Sequence, residues 1–146
     1  NQTRLNCAAG ALGLARAAKA AAINYAKERT QFGQKIGEFQ MNQDLIAQMV
    51  VHEEAARLLV YRAAWLADQK KPNNLETSIG KYTAAEAAAF AVDTAMKILG
   101  AYGYSTEFPV ERYYRDAKSY QIVEGSSNVQ KMIIAQDALG YRTANR

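Results

Sequence analysis

Glu124 is the residue in this chain best placed to move a proton. It follows the apolar turn of Tyr120, Ile122 and Val123 and precedes Gly125, a residue type that ends helices by turning left-handed. Ser127 and Gln130 then have the spacing of a capping box that runs into Val129, Met132, Ile133 and Ile134. A carboxylate at such a joint, among apolar and hydroxyl neighbours, is expected to be shielded from water. Burial disfavours the charged form and raises a carboxyl pKa, and catalytic glutamates are commonly tuned to roughly 6–7 in this way. The residues alone leave a catalytic and a structural role for Glu124 equally open.

The other reactive side chains make weaker cases. The lone Cys7 excludes an internal disulfide and a multi-cysteine zinc site, and nothing beside it identifies a base for a thiolate. The lone His52 lies on an apolar stripe and excludes paired-histidine sites, so no metal is expected. Glu53 and Glu54 stand at helical contact spacing from Arg57 and read as surface ion pairs.

The elements that position Glu124 read almost entirely as helix. Only two prolines occur, Pro72 and Pro109, and both fall where the patterns break. An alanine-rich first helix covers about residues 1–29, with Gly10 and Gly13 permitting close packing. A second helix, from about Glu38 to Lys70, carries a stripe of Leu45, Met49, His52, Ala56, Leu59, Ala63 and Leu66. A third, from about Leu75 to Leu99, repeats it with Ile79, Tyr82, Ala85, Ala89, Val92, Met96 and Leu99. Two shorter helices follow, one beginning near Pro109 and one over about 128–139. No alternating strand pattern of useful length competes. The expected fold is all-α, an up-and-down antiparallel helical bundle of the four-helix type with a short extra helix.

The chain has 146 residues, enough for one domain with a real core, and a formal charge of +4. That charge suits phosphate-rich ligands such as dinucleotides or coenzyme A. Lys and Arg are interleaved with acids and form no basic block, so nucleic acid is the poorer expectation. There is no run of 18 or more apolar residues, so no membrane span is expected, and no signal peptide is evident.

Three segments share a family pattern: YAKERTQFGQKIGEFQ at 25–40, KILGAYGYS at 97–105 and EFPVERYYRDAKSYQIVEGSSNVQKMIIAQ at 107–136. In this order, and across essentially the whole chain, they resemble the C-terminal domain of the acyl-CoA dehydrogenase family, flavoenzymes that desaturate acyl-CoA thioesters. The resemblance implies FAD as cofactor, an acyl-CoA as substrate and an electron-transfer flavoprotein as electron acceptor. It also implies self-association into a homodimer or homotetramer, and residence in a bacterial cytoplasm or a mitochondrial matrix.

By resemblance, Glu124 is the base that removes the α-proton of the thioester, and its backbone N–H helps to hold the thioester oxygen. Arg29, Gln31 and Phe32 fall on a motif that contacts the flavin dinucleotide of a neighbouring subunit, and Phe39 and Gln40 match positions lining the same dinucleotide. On spacing alone, Arg29 serves equally well as a cap for helix-terminal carbonyls. At the third motif the chain departs from the family pattern: Lys97 stands where glutamine is common and Ala101 where a second glycine is, while Gly100 is kept. Ser126 replaces threonine, and Asn128 stands where a longer acid or amide is usual; both are carried over as flavin contacts. Arg4 and Asn1 match positions near the thioester and coenzyme A, and Val123 and Gly125 flank the base and are expected to border the acyl chain.

The family's N-terminal helical domain and middle β-domain have no counterpart in these residues. The chain, starting at NQTR, is therefore expected to be an excised C-terminal domain, inactive alone. A rival reading is a non-catalytic assembly module. Another is a related reaction, the oxidative decarboxylation of a dicarboxylic acyl-CoA or the reduction of an enoyl-CoA; GAYGYSTEFPVERYYRDAK and DALGYR resemble the glutaryl-CoA branch.

Overall fold

The computed structural model describes residues 2–145. Asn1, expected near the substrate, lies outside the described residues. The elements are α1 (Gln2–Glu28), β1 (Thr30–Gln31), β2 (Gln34–Lys35), a 3₁₀ turn (Ile36–Glu38), α2 (Gln40–Asp68), α3 (Asn74–Leu99), α4 (Ala101–Tyr104), α5 (Val110–Tyr120) and α6 (Ser127–Ala138). The fold is an all-α bundle. The only strands among the described residues are β1 and β2, an antiparallel ribbon pairing Thr30 with Lys35 and Gln31 with Gln34. Two residues per strand are too few for alternation to show in sequence.

Alanine explains the core. α1 buries Ala8, Ala11, Ala15, Ala18, Ala22 and Ala26 at steps of three and four, and α3 answers with Ala84, Ala88, Ala91 and Ala95. Small side chains on both faces let the two axes approach closely, since interaxial distance depends on the side chains at the contact. Ala88 has no exposed surface, so Ala88→Leu is expected to overpack this seam and cost about 2–3 kcal/mol. A lowered urea midpoint with an unchanged slope is the expected readout.

α3 corrects the one-sided stripe read from the sequence. It packs against α1, α2, α5 and α6 and therefore has no wide solvent face. Ile79, Tyr82, Ala89 and Met96 are only half-buried, whereas Thr77, Ser78, Lys81, Ala84, Ala88 and Thr94 are buried.

On α2 the buried seam is Met49, Glu53, Ala56, Val60 and Ala63. His52 is exposed, its ring 4.5 Å from that of Phe90. Glu53 turns inward because Lys19 of α1 supplies an ion-pair partner. The expected Glu53–Arg57 surface pair is therefore not formed, and Arg57 pairs with Glu54 at 2.6 Å.

Candidate active site

The loop between α5 and α6 is built around two consecutive left-handed residues, Glu124 (φ 55°) and Gly125 (φ 86°). Before them, the N–H groups of Ile122 and Val123 both donate to the Ser119 carbonyl at 2.9 Å; after them, the Ser127 N–H returns to the Gln121 carbonyl at 2.9 Å. The chain thus reverses tightly and displays Glu124 at its apex. A non-glycine residue in this region costs roughly 1–3 kcal/mol and persists only where its surroundings over-determine it.

Those surroundings are three polar side chains that sequence reading missed. Lys81, 1% exposed, donates to the carbonyls of Tyr120 and Gly125, each at 2.8 Å. Gln130, fully buried, donates to the same Gly125 carbonyl at 2.9 Å. The Glu86 carboxylate accepts from Ser127 Oγ at 2.9 Å and from Gln121 Nε2 at 3.1 Å, tying both ends of the loop to α3. Burial pulls the Lys81 ammonium below the usual lysine range, while Cys7, Glu86 and Glu124 favour its charge. One sequence signal could have found Lys81: unlike Lys97 on the same alanine-rich helix, it has no acid three or four residues away, so its partner had to come from elsewhere.

Two expectations about this loop are corrected. The cap of α6 is Ser126, whose Oγ accepts from the Val129 N–H at 3.4 Å; Ser127 and Gln130 are drawn to Glu86 and Gly125 instead. Glu124 is exposed rather than shielded, because this chain places no apolar wall over it. Beside it Ile122 and Val123 are 63% and 45% exposed. The Glu124 and Gly125 N–H groups donate to no acceptor among the described residues.

Arg4 is half-buried and reaches across the bundle. It donates to Ser78 Oγ at 3.0 Å, to Gln130 Oε1 at 3.3 Å and to Asn74 Oδ1. It thereby joins α1 and α3 to the side chain that holds Gly125. Burial pushes the Cys7 thiol up, which disfavours a thiolate.

Seven of the carried-over cofactor positions gather at the other end of α3. Arg29, Gln31, Phe32, Phe39, Lys97, Gly100 and Ala101 line one open cleft of about 420 Å³. Lys35 Nζ caps the Glu28 carbonyl at 2.8 Å, which relieves Arg29 of the carbonyl-capping role. Arg29 instead donates to the Gln31 amide oxygen, 2.7 Å from Nη2 and 3.3 Å from Nε. Phe32 is 93% exposed, its ring edge-on to Phe39 at 6.3 Å. Gly100 ends α3 at φ 60° and ψ −130°, a conformation essentially confined to glycine. Lys97 pairs with Asp93 at 2.6 Å on the α3 surface. Gln40 opens α2, is exposed, and is not among the cleft-lining residues.

The structure therefore divides the expected site residues into two groups. Val123, Glu124, Gly125, Ser126 and Asn128 lie on or next to the reversing loop, with Arg4 behind it. The other group, apart from Gln40, lines the cleft. Lys81, under the loop, and Lys97, at the cleft, are sixteen residues apart on α3, about 24 Å along its axis.

The C-terminal domain of acyl-CoA dehydrogenases, as a family, matches residues 1–139 of this chain. The chain belongs to the acyl-CoA dehydrogenase family. It is 60% identical to a glutaryl-CoA dehydrogenase of Desulfococcus multivorans over 100% of this chain and 38% of that protein. Among solved structures, a glutaryl-coenzyme A dehydrogenase in complex with glutaryl-CoA superposes with a TM-score of 0.95 at 59% identity, covering 99% of this chain and 37% of that one. The butyryl-CoA dehydrogenase of Megasphaera elsdenii gives a TM-score of 0.92 at 43% identity over 93% of this chain and 36% of its own. The chain thus spans little more than a third of the length of these relatives.

Proposed function

We propose that this chain is the C-terminal, base-bearing and assembly domain of an FAD-dependent acyl-CoA dehydrogenase. The observation that carries the reading is the corner at Glu124: an exposed carboxylate, a backbone N–H with no acceptor, and the exposed apolar side chains of Ile122 and Val123 all meet there. Glu124 takes the α-proton of an acyl thioester, and its own N–H is available to the thioester oxygen as charge develops there. Ile122 and Val123 present apolar surface to the acyl chain. Bound FAD supplies a hydride acceptor for the β-carbon.

The cleft has the chemistry for the dinucleotide part of that cofactor. Arg29 offers a planar fork of donors to a pyrophosphate, Phe32 presents an uncovered ring face, and Gly100 lets the backbone approach closely. Ser126 and Asn128, at the start of α6, are placed to contact flavin near the base. The separation of about 24 Å agrees with the cleft serving the cofactor of a neighbouring subunit. Arg29→Gln in the full-length parent is expected to weaken FAD binding about 10- to 100-fold, the equivalent of one charged hydrogen bond; titration of the apoenzyme with FAD measures it.

The remaining walls of the site come from other domains of a longer parent. Self-association fits Val51, Leu58 and Trp65, which recur at intervals of seven on the outer face of α2 and are 66%, 61% and 55% exposed. Among the described residues no helix is long and apolar enough to cross a membrane. An electron-transfer flavoprotein is the proposed acceptor, and a bacterial cytoplasm or mitochondrial matrix the proposed location. Within the family, the 60% identity favours glutaryl-CoA over longer monocarboxylic substrates.

The test is anaerobic addition of glutaryl-, butyryl- and octanoyl-CoA to the purified parent, with flavin absorbance recorded. Bleaching is expected, fastest with glutaryl-CoA. A well-folded parent that binds no flavin leaves the chain an assembly module and ends the catalytic reading.

A further inference from the structure

We propose that Lys81 is a positioning residue for the catalytic base, resting on the reading of Glu124 given above. The loop from Tyr120 to Gly125 leaves α5, reverses and enters α6. Its two end carbonyls converge on one ammonium at 2.8 Å each. Lys81 therefore fixes the separation of the loop's two ends, and with it the direction in which the left-handed corner displays Glu124.

Three observations set this apart from an incidental buried lysine. First, Lys81 is 1% exposed. A charge taken out of water is costly unless it is paired and hydrogen-bonded, and both of its recorded hydrogen bonds go to this loop. Second, each anchor point is locked from a further side. The Gly125 carbonyl also accepts from Gln130, and Tyr120 lies over Gly10, where an added Cβ would stand 2.7 Å from its hydroxyl oxygen. Third, Glu86 holds Gln121 and Ser127 from the next turn and a half of α3, so a single helix carries both the cationic and the anionic clamp. Positive φ at Glu124 is thus imposed from α3 rather than chosen by the loop itself.

The consequence is a separation of roles. Lys81 touches neither the reacting atoms nor the cleft; it sets where the Glu124 carboxylate stands. Misplacement of a catalytic group by about 1 Å is enough to cost on the order of 10²-fold in rate.

The experiment uses the full-length parent, comparing Lys81→Met, which keeps length and apolar volume, with Lys81→Gln, which keeps a donor on a shorter arm. In both, single-turnover flavin bleaching at saturating acyl-CoA is expected to fall on the order of 100-fold. FAD content and the Kd for the enoyl-CoA product are expected to stay within about threefold of wild type. Amide hydrogen exchange is expected to accelerate in the 120–126 segment and not along α1 or α2.

Wild-type bleaching rates in either folded variant overturn the proposal. So does failure of both variants to fold or to retain flavin, because Lys81 then supports the bundle and not the base. Glu124→Gln run in parallel separates the two readings: if it retains the wild-type rate, the assignment of the base is wrong, whereas a dead Glu124→Gln beside an active Lys81→Met removes only the role of Lys81.

Discussion

Glu124→Gln in the full-length parent is expected to slow flavin bleaching by about 10³- to 10⁴-fold, the upper part of the range for a removed general base. Glutamine keeps the length and planarity of the side chain, so the loop and its hydrogen bonds are undisturbed; what is lost is the ability to accept a proton. The α-hydrogen of a thioester is only weakly acidic, and no second carboxylate lies on the loop to substitute: Glu86, the nearest acid on α3, is engaged by Ser127 and Gln121. FAD content and product affinity are expected to remain near wild type, because the Glu124 side chain touches neither Arg4 nor the cleft residues. Stopped-flow absorbance gives the rate. Turnover near the wild-type value would remove Glu124 from the mechanism and return this loop to a structural role.

The exposure of Glu124 bears on where its reactivity comes from. Within this chain no apolar wall covers the Glu124 carboxylate. Under the function proposed above, the desolvation that such a base uses is expected to arrive with the bound acyl-CoA and with the rest of the parent. The isolated chain is expected to fold without activity.

The helices were legible in the sequence because their signals are local. Ala8 to Ala26 recur at steps of three and four, Gly100 ends α3, and the prolines fall between elements. Glu124 was legible because the apolar turn before it and Gly125 after it mark a corner. The cleft residues were legible through the family motif, and the structure brings most of them onto one surface. What stayed hidden depends on partners far away in sequence. Lys81 and Gln130 are buried because a loop some forty residues on from Lys81 gives the lysine two carbonyls, and Glu53 because Lys19 meets it from α1. An amphipathic stripe read one helix at a time assigns His52 inward and Glu53 outward; the bundle reverses both. The wrong choice of cap has the same origin, since Ser127 has the spacing of a capping box but Glu86 competes for its hydroxyl.

Gly125→Ala is expected to be the most damaging single-methyl addition in the loop. At φ 86° the backbone is in the region that L side chains rarely adopt, which costs about 1–2 kcal/mol. The added Cβ would also stand 2.6 Å from Gln130 Nε2. A flexible amide would ordinarily swing aside, but Gln130 has no exposed surface, donates to the Gly125 carbonyl and accepts from Arg4. Moving it breaks both bonds, at roughly 1 kcal/mol each, so the total loss is expected to be about 3–4 kcal/mol. Gly140→Ala is the control: φ is 69° and nothing lies within 4 Å of the added carbon, so only the backbone term remains. The parent variants are compared by urea unfolding and by bleaching rate. Gly125→Ala is expected to lose about 2 kcal/mol more than Gly140→Ala and to bleach on the order of 100-fold more slowly, because the residue it displaces holds the Gly125 carbonyl next to Glu124. Equal stability and equal rates in the two variants would mean that Gln130 relaxes freely, and the rigid support of the corner at Glu124 would have to be given up.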